Sequence, residues 1–161
     1  GDVAESATLR GPVVVEEGAT VEPGTVVEGP ALLREGATVG PNAYVRGATV
    51  VGPDAHVGHA VEVKNSVVGE RSNVAHLSYV GDSVLAHDVN LGAGTVVANL
   101  RHDGAPVELT VKEQRRSTGR RKFGAVVGHD AKTGINTSID AGVTLAPGAR
   151  TALGETVTRD R

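Results

Sequence analysis

An aliphatic residue stands at every sixth position across the first part of the chain: Leu9, Val15, Val21, Val27, Leu33, Val39, Val45, Val51, Val57 and Val63. Two residues before each lies a small or β-branched partner, running from Ala7 and Val13 to Ala55 and Val61. Glycine often follows the aliphatic residue and proline can follow that, as in Val39-Gly40-Pro41 and Val51-Gly52-Pro53. A helix would repeat near 3.6 residues and an isolated strand every two. A period of six with alternation inside each unit fits a short strand and a turn, repeated. Three hexads then close one triangular coil, and residues one coil apart stack at about 4.8 Å, the ordinary inter-strand spacing. The expected fold class is all-β, a parallel β-helix of hexapeptide repeats.

The residue inventory suits such a coil and little else. The chain has 22 Gly, one Phe, two Tyr, and no Trp, Met or Cys. Large core-filling side chains are missing, so aliphatic and small residues must fill space by close stacking of layers. The lack of cysteine excludes disulfides and thiolate zinc sites. A net charge of −3 gives no overall basic footprint for nucleic acid. No apolar run approaches membrane-spanning length and no signal segment opens the chain. A soluble, cytoplasmic domain covering residues 1–161 is expected. His56, His59, His87, His102 and His129 form no recognisable ligand motif, and no metal is expected.

In a solenoid the departures from the repeat are where function is sought. The register slips by one residue after Val63, resumes at Val68, Val74 and Val80, and slips again to Leu85, Leu91 and Val97. The pattern then vanishes over residues 98–126 and returns at Val127, Thr133, Ile139, Leu145, Thr151 and Val157. The inserted loop carries Arg101, His102, Arg115, Arg116, Arg120, Arg121 and Lys122. Long loops in compact folds are commonly functional arms; a solvated basic hairpin is the plainer reading.

Stacking the hexads sets Arg46 beside Lys64 on consecutive coils; Val80, flanked by Tyr79 and by Gly81-Asp82, comes next in that column, and then Val97, with Asn99 two residues after it. Two cations at coil spacing repel unless an anion lies between them, which makes this corner a candidate phosphate site. Two solvated cations are the alternative. The neighbouring column brings His59 and His76 next to Gly92-Ala93-Gly94, with Asn90 just before Leu91. Histidine can act as a general base near neutral pH. By spacing alone, a solvated corner histidine is the plainer reading of His76.

Lys64-Asn65-Ser66, His76-Leu77-Ser78-Tyr79-Val80-Gly81-Asp82, Asn90-Leu91-Gly92-Ala93-Gly94-Thr95 and Asn99 together resemble the acetyltransferase domain of glucosamine-1-phosphate acetyltransferases. Ala98-Asn99-Leu100-Arg101 and Ser117-Thr118-Gly119-Arg120-Arg121-Lys122 look more like the archaeal sugar-1-phosphate nucleotidylyltransferase/acetyltransferases. The resemblance is tight over residues 39–148. It implies a left-handed coil, a homotrimer with sites between prisms, and acetyl-CoA as co-substrate. It implies that His76 is the general base and that Asn99 lies near the reacting amide. Arg46, Lys64, Tyr79 and Lys122 would hold the sugar phosphate, and Asn90 would touch the sugar. Ala93, Gly134 and Ile135 would line the coenzyme A groove. The family's N-terminal nucleotidyltransferase domain is absent from residues 1–161, and the loop is longer and more basic than the bacterial one.

The activity so implied is N-acetylation of an amino-sugar 1-phosphate, leading towards UDP-N-acetylglucosamine. Glucosamine-1-phosphate is the first substrate expected, with galactosamine-1-phosphate as its epimer. A catalytically silent trimerisation domain is the structural alternative, and the joint presence of His76, Tyr79, Asn90, Asn99 and Lys64 argues against it. Acyl transfer to another amine, such as a nucleotide-linked sugar, is the third reading.

Overall fold

A computed structural model describes residues 1–161 and contains only strands and turns. Most strands are two or three residues long, and they build three parallel sheets along the faces of a prism. Sheet A runs through Thr38–Val39, His56–His59, Asn73–His76 and Asn90–Leu91. Sheet B includes Tyr44–Arg46, Glu62–Lys64, Tyr79–Gly81, Val96–Val97 and Ser138–Ile139. Sheet C includes Ala31–Leu33, Thr49–Val51, Val67–Val68, Val84–Leu85 and Val126–Val127. The chain visits A, B and C in turn, so each aliphatic position pairs with its counterpart one coil on. Val39 thus aligns with Val57, Val45 with Val63, and Leu33 with Val51.

These aliphatic residues point inward and are fully or almost fully buried from Val21 to Val157. Full burial of one such side chain stabilises by roughly 1.5–3 kcal/mol, so a continuous column replaces the missing aromatic core. Leu9 is 38% exposed because the first coil has no complete layer beneath it. No helix is long and apolar enough to cross a membrane.

Both register slips fall on the same corner, where sheet B turns into sheet C. A regular corner runs Arg46-Gly47-Ala48-Thr49; the shortened ones run Lys64-Asn65-Ser66 and Gly81-Asp82-Ser83. Gly47, Asn65 and Asp82 take the positive φ there, at 68°, 50° and 51°. Asn and Asp tolerate this region better than other side-chain-bearing residues. Serine hydroxyls then accept the buried N–H groups of the tightened turns: Ser83 N–H donates to Ser66 Oγ at 2.9 Å, and Ala125 N–H to Ser83 Oγ at 3.0 Å.

The inserted segment leaves the same corner after Val97 and returns at Val126. Within it, Glu108–Val111 and Gln114–Ser117 form an antiparallel hairpin. Its anchor is Val107, which is 1% exposed and packs over Gly142. Gly142 has φ +82°, and a Cβ there would run into the Glu108 carbonyl.

Candidate functional site

The outward face of sheet B carries the polar residues singled out by their column. Lys64 and Arg46 are register partners on adjacent strands, as the spacing requires. The chain itself supplies an anion to each. Arg46 Nε donates to Glu62 Oε1 at 2.7 Å, and Lys64 Nζ donates to Asp82 Oδ2 at 2.7 Å. Asn99 Nδ2 lies at the far side of this group, 2.5 Å from Asp82 Oδ2 and 3.1 Å from Tyr79 Oη. Asn65 Nδ2 closes the ring with a bond to Asp82 Oδ1 at 2.9 Å.

Protonation follows from these contacts. Burial works to raise the Asp82 carboxyl, but donors from Lys64, Asn65 and Asn99 outweigh it and hold the group below the usual range. Burial, with the negative charges of Glu62 and Asp82 nearby, pushes the Tyr79 phenol up, so it keeps its proton at neutral pH. The hydrogen bond to Glu62 strengthens the Arg46 charge. The Lys64 and Asp82 side chains are only 16% and 5% exposed, a partly desolvated pair rather than a surface one.

His76 stands at the next corner, where sheet A turns into sheet B. It is exposed and aligned in register with His59 of the preceding coil. The turn hydrogen bonds continue this line up the prism: Gly94 N–H donates to His76 O, Asn136 N–H to Ala93 O, and Gly154 N–H to Ile135 O. His76, Ala93, Ile135 and Leu153 therefore form one ridge. Ile135 and Leu153 are 48% and 74% exposed, an apolar edge open to solvent. The N–H groups of Ala93 and Ile135 make no hydrogen bond within the chain, whereas Gly134 N–H is taken by Thr151 Oγ1 at 2.9 Å.

Two expected residues sit apart from this group. Lys122 returns to the base of the arm, bridged to Leu100, while Phe123 N–H donates to Asn99 O at 3.0 Å. Lys122 is thus brought close to Asn99 in the chain path but is itself exposed. Asn90 lies on the outward face of sheet A, in line with Asn73 and Lys132. Two faces of a triangular prism look in diverging directions, so Asn90 does not share a surface with Tyr79 in one copy. Sequence reasoning left Glu62 and Asp82 out of the site. The signals for Asp82 were its place inside the second shortened spacing, between Val80 and Leu85, and its place at the end of the motif that begins at His76. Elsewhere, His87 and His129 stack with ring centroids 5.0 Å apart, away from both corners.

The model of the family described as "GMPPB C-terminal domain" matches residues 27–114. A bifunctional sugar-1-phosphate nucleotidylyltransferase/acetyltransferase from Sulfurisphaera tokodaii is 48% identical over 160 residues, which are 99% of this chain and 40% of that protein. A bifunctional protein GlmU from Methanococcus aeolicus is 42% identical over 145 residues, 90% of this chain and 35% of that protein. The chain thus spans about two fifths or less of the length of these curated relatives. Among solved structures, a UDP-N-acetylglucosamine acyltransferase from Campylobacter jejuni superposes with a TM-score of 0.57 at 13% identity. That match covers 98% of this chain and 68% of the other, a likeness of fold alone.

Proposed function

We propose that this chain, which belongs to the GMPPB C-terminal domain family, transfers the acetyl group of acetyl-CoA to the amine of an amino-sugar 1-phosphate. The observation that carries this reading is the adjacency of two surfaces. An exposed histidine heads a ridge of small and apolar residues, and the next face presents Lys64, Tyr79 and Asn99 as a built polar group. The relative from Sulfurisphaera tokodaii, whose name includes an acetyltransferase, supports it.

The ridge suits the coenzyme. Ala93 and Ile135 offer two free N–H donors one coil apart, Ile135 and Leu153 offer apolar contact, and Gly134 lets the Ala152 backbone of the next coil pack close beneath them. Bound there, the coenzyme supplies the acetyl thioester. His76 then takes a proton from the amine as its nitrogen bonds to the thioester carbon, the C–S bond breaks, and coenzyme A leaves as the thiol with that proton, while Asn99 offers its side-chain oxygen to the nitrogen's remaining N–H. Arg46, Lys64, Tyr79 and Lys122 hold the phosphate, which fixes the amine in position. No step in this scheme calls for a metal. Glucosamine-1-phosphate is the substrate we assign first, with galactosamine-1-phosphate next.

Self-association completes the proposal. Asn90 can reach a sugar held on sheet B only from a second copy. The outward column of sheet C is aliphatic along most of its length, through Val14, Leu32, Val50, Val67, Val84 and Val126. Val14, Val67 and Val84 are 55%, 41% and 42% exposed in the single chain, and contiguous apolar surface of this kind marks an interface. We assign a homotrimer. The test compares thiol release from acetyl-CoA with glucosamine-1-phosphate, galactosamine-1-phosphate and unphosphorylated glucosamine. Turnover with a phosphorylated amine and a KM at least about tenfold higher without the phosphate supports the reading. Equal use of glucosamine removes the phosphate role of Lys64 and Arg46. No turnover at all leaves the silent trimerisation domain.

A further inference from the structure

We infer that Asp82 is the positioning residue of this site: its carboxylate fixes which way the Asn99 amide faces and which protons Tyr79 and Lys64 have left for the sugar phosphate. The inference rests on the acetyl-transfer reading for its kinetic consequence, but not for its geometry.

A carboxylate can only accept hydrogen bonds. Asn99 can therefore sit 2.5 Å from Asp82 Oδ2 only with its nitrogen turned inward, and the second proton on that nitrogen goes to Tyr79 Oη at 3.1 Å. Both amide protons are then committed, and Asn99 Oδ1 is left as an acceptor. Tyr79 Oη accepts from Asn99 and so keeps its own proton to donate. Lys64 gives one of three protons to Asp82 at 2.7 Å and keeps two. The result is one acceptor beside a set of donors, the pattern that an amine N–H and a phosphate need side by side.

Asp82 is itself held firmly. Asn65 Nδ2 donates to its Oδ1 at 2.9 Å, and its backbone N–H donates to Lys64 O at 2.7 Å. Its side chain is 5% exposed, so water does not compete for the carboxylate. The same donors keep the group ionised despite burial, which excludes a protonated form that would donate to Asn99 instead.

Asp82→Asn keeps size and tolerates the positive φ of 51°, so the turn survives. It can, however, offer N–H to Asn99 Oδ1 and lets the Asn99 amide flip. Two measurements on the full chain test this. In NMR spectra, assigned by loss in Asn99→Ala, one Asn99 side-chain amide proton should be shifted downfield and slow to exchange in the wild type. In Asp82→Asn it should return to an ordinary position. Unchanged Asn99 amide signals would overturn the inference, whether or not the protein turns over substrate. In kinetics, kcat/KM for glucosamine-1-phosphate should fall by about tenfold to a hundredfold with the KM for acetyl-CoA unchanged. A merely structural role would shift both KM values together, and a wild-type kcat/KM in Asp82→Asn would also overturn the inference. Absence of turnover in the wild type sinks the acetyl-transfer reading alone, and the NMR result then decides the role of Asp82.

Discussion

Lys64 and Asp82 lie 18 residues apart in the sequence and 2.7 Å apart in space, across a corner from which each coil has lost one residue. On the regular corner the residue with positive φ is Gly47, which has no side chain to offer. On the shortened corner it is Asn65 and then Asp82, and their side chains meet over the strand end. The slip in the repeat is thus what builds the polar group.

Removing Lys64 should leave that carboxylate buried without its cation. Lys64→Ala is expected to cost roughly 2–4 kcal/mol of stability, because the unpaired charge stays desolvated. Urea unfolding measures the loss. The double variant Lys64→Ala with Asp82→Asn should recover at least about 1 kcal/mol of it, and strictly additive losses would contradict the pairing.

Acid should act on the same residue. The folded Asp82 carboxyl is held below its ordinary value of 3.8. Its contribution is therefore complete above that pH and is lost as pH falls through the lower folded value. Other depressed carboxylates, including Asp88 and Asp130, lose stability in acid as well, so the comparison with Asp82→Asn isolates one group. Melting temperatures measured from pH 5 downward should fall more steeply for the wild type than for the variant. Parallel curves would contradict the assignment.

The basic arm should depend on one glycine. Gly142→Ala adds strain at φ +82° and a Cβ that meets the Glu108 carbonyl and lies 3.0 Å from Val107 Cγ1. The arm should lift from the coil while the β-helix stays intact. Trypsin cleavage at Arg115 and Arg116 should then be several times faster, with an unchanged far-UV circular dichroism spectrum. An unchanged cleavage rate would show that Val107 does not anchor the arm.

The coil was legible because the aliphatic column points inward and nothing competes with it: Val21, Val39 and Val57 can stack in only one way. The slips at Val68 and Leu85 were equally visible as spacings of five. The acids were not, because reading by columns compares residues at the same position of successive coils. The Arg46–Glu62 and Lys64–Asp82 pairs run diagonally, from one position to a different one on the next coil. Register alone therefore showed two cations seeking an anion without showing that the chain supplies two. Val107 was hidden for a related reason. One valine in a polar arm carries no periodicity, and its partner Gly142 lies on a coil beyond the insertion. Column reading had already set Asn90 one face over from Tyr79; it was the resemblance that brought the two to one sugar, which a single prism does not allow.

The most direct measurement is thiol release from acetyl-CoA with glucosamine-1-phosphate, wild type beside His76→Ala. His76 is exposed and lies outside the buried core, so the variant should fold and melt like the wild type. The expected result is turnover in the wild type and a fall of about a hundredfold or more in the variant, the order of losing a general base. Equal rates in the two proteins would contradict the role given to His76, and a folded wild type with no turnover on either amino-sugar phosphate would contradict acetyl transfer itself.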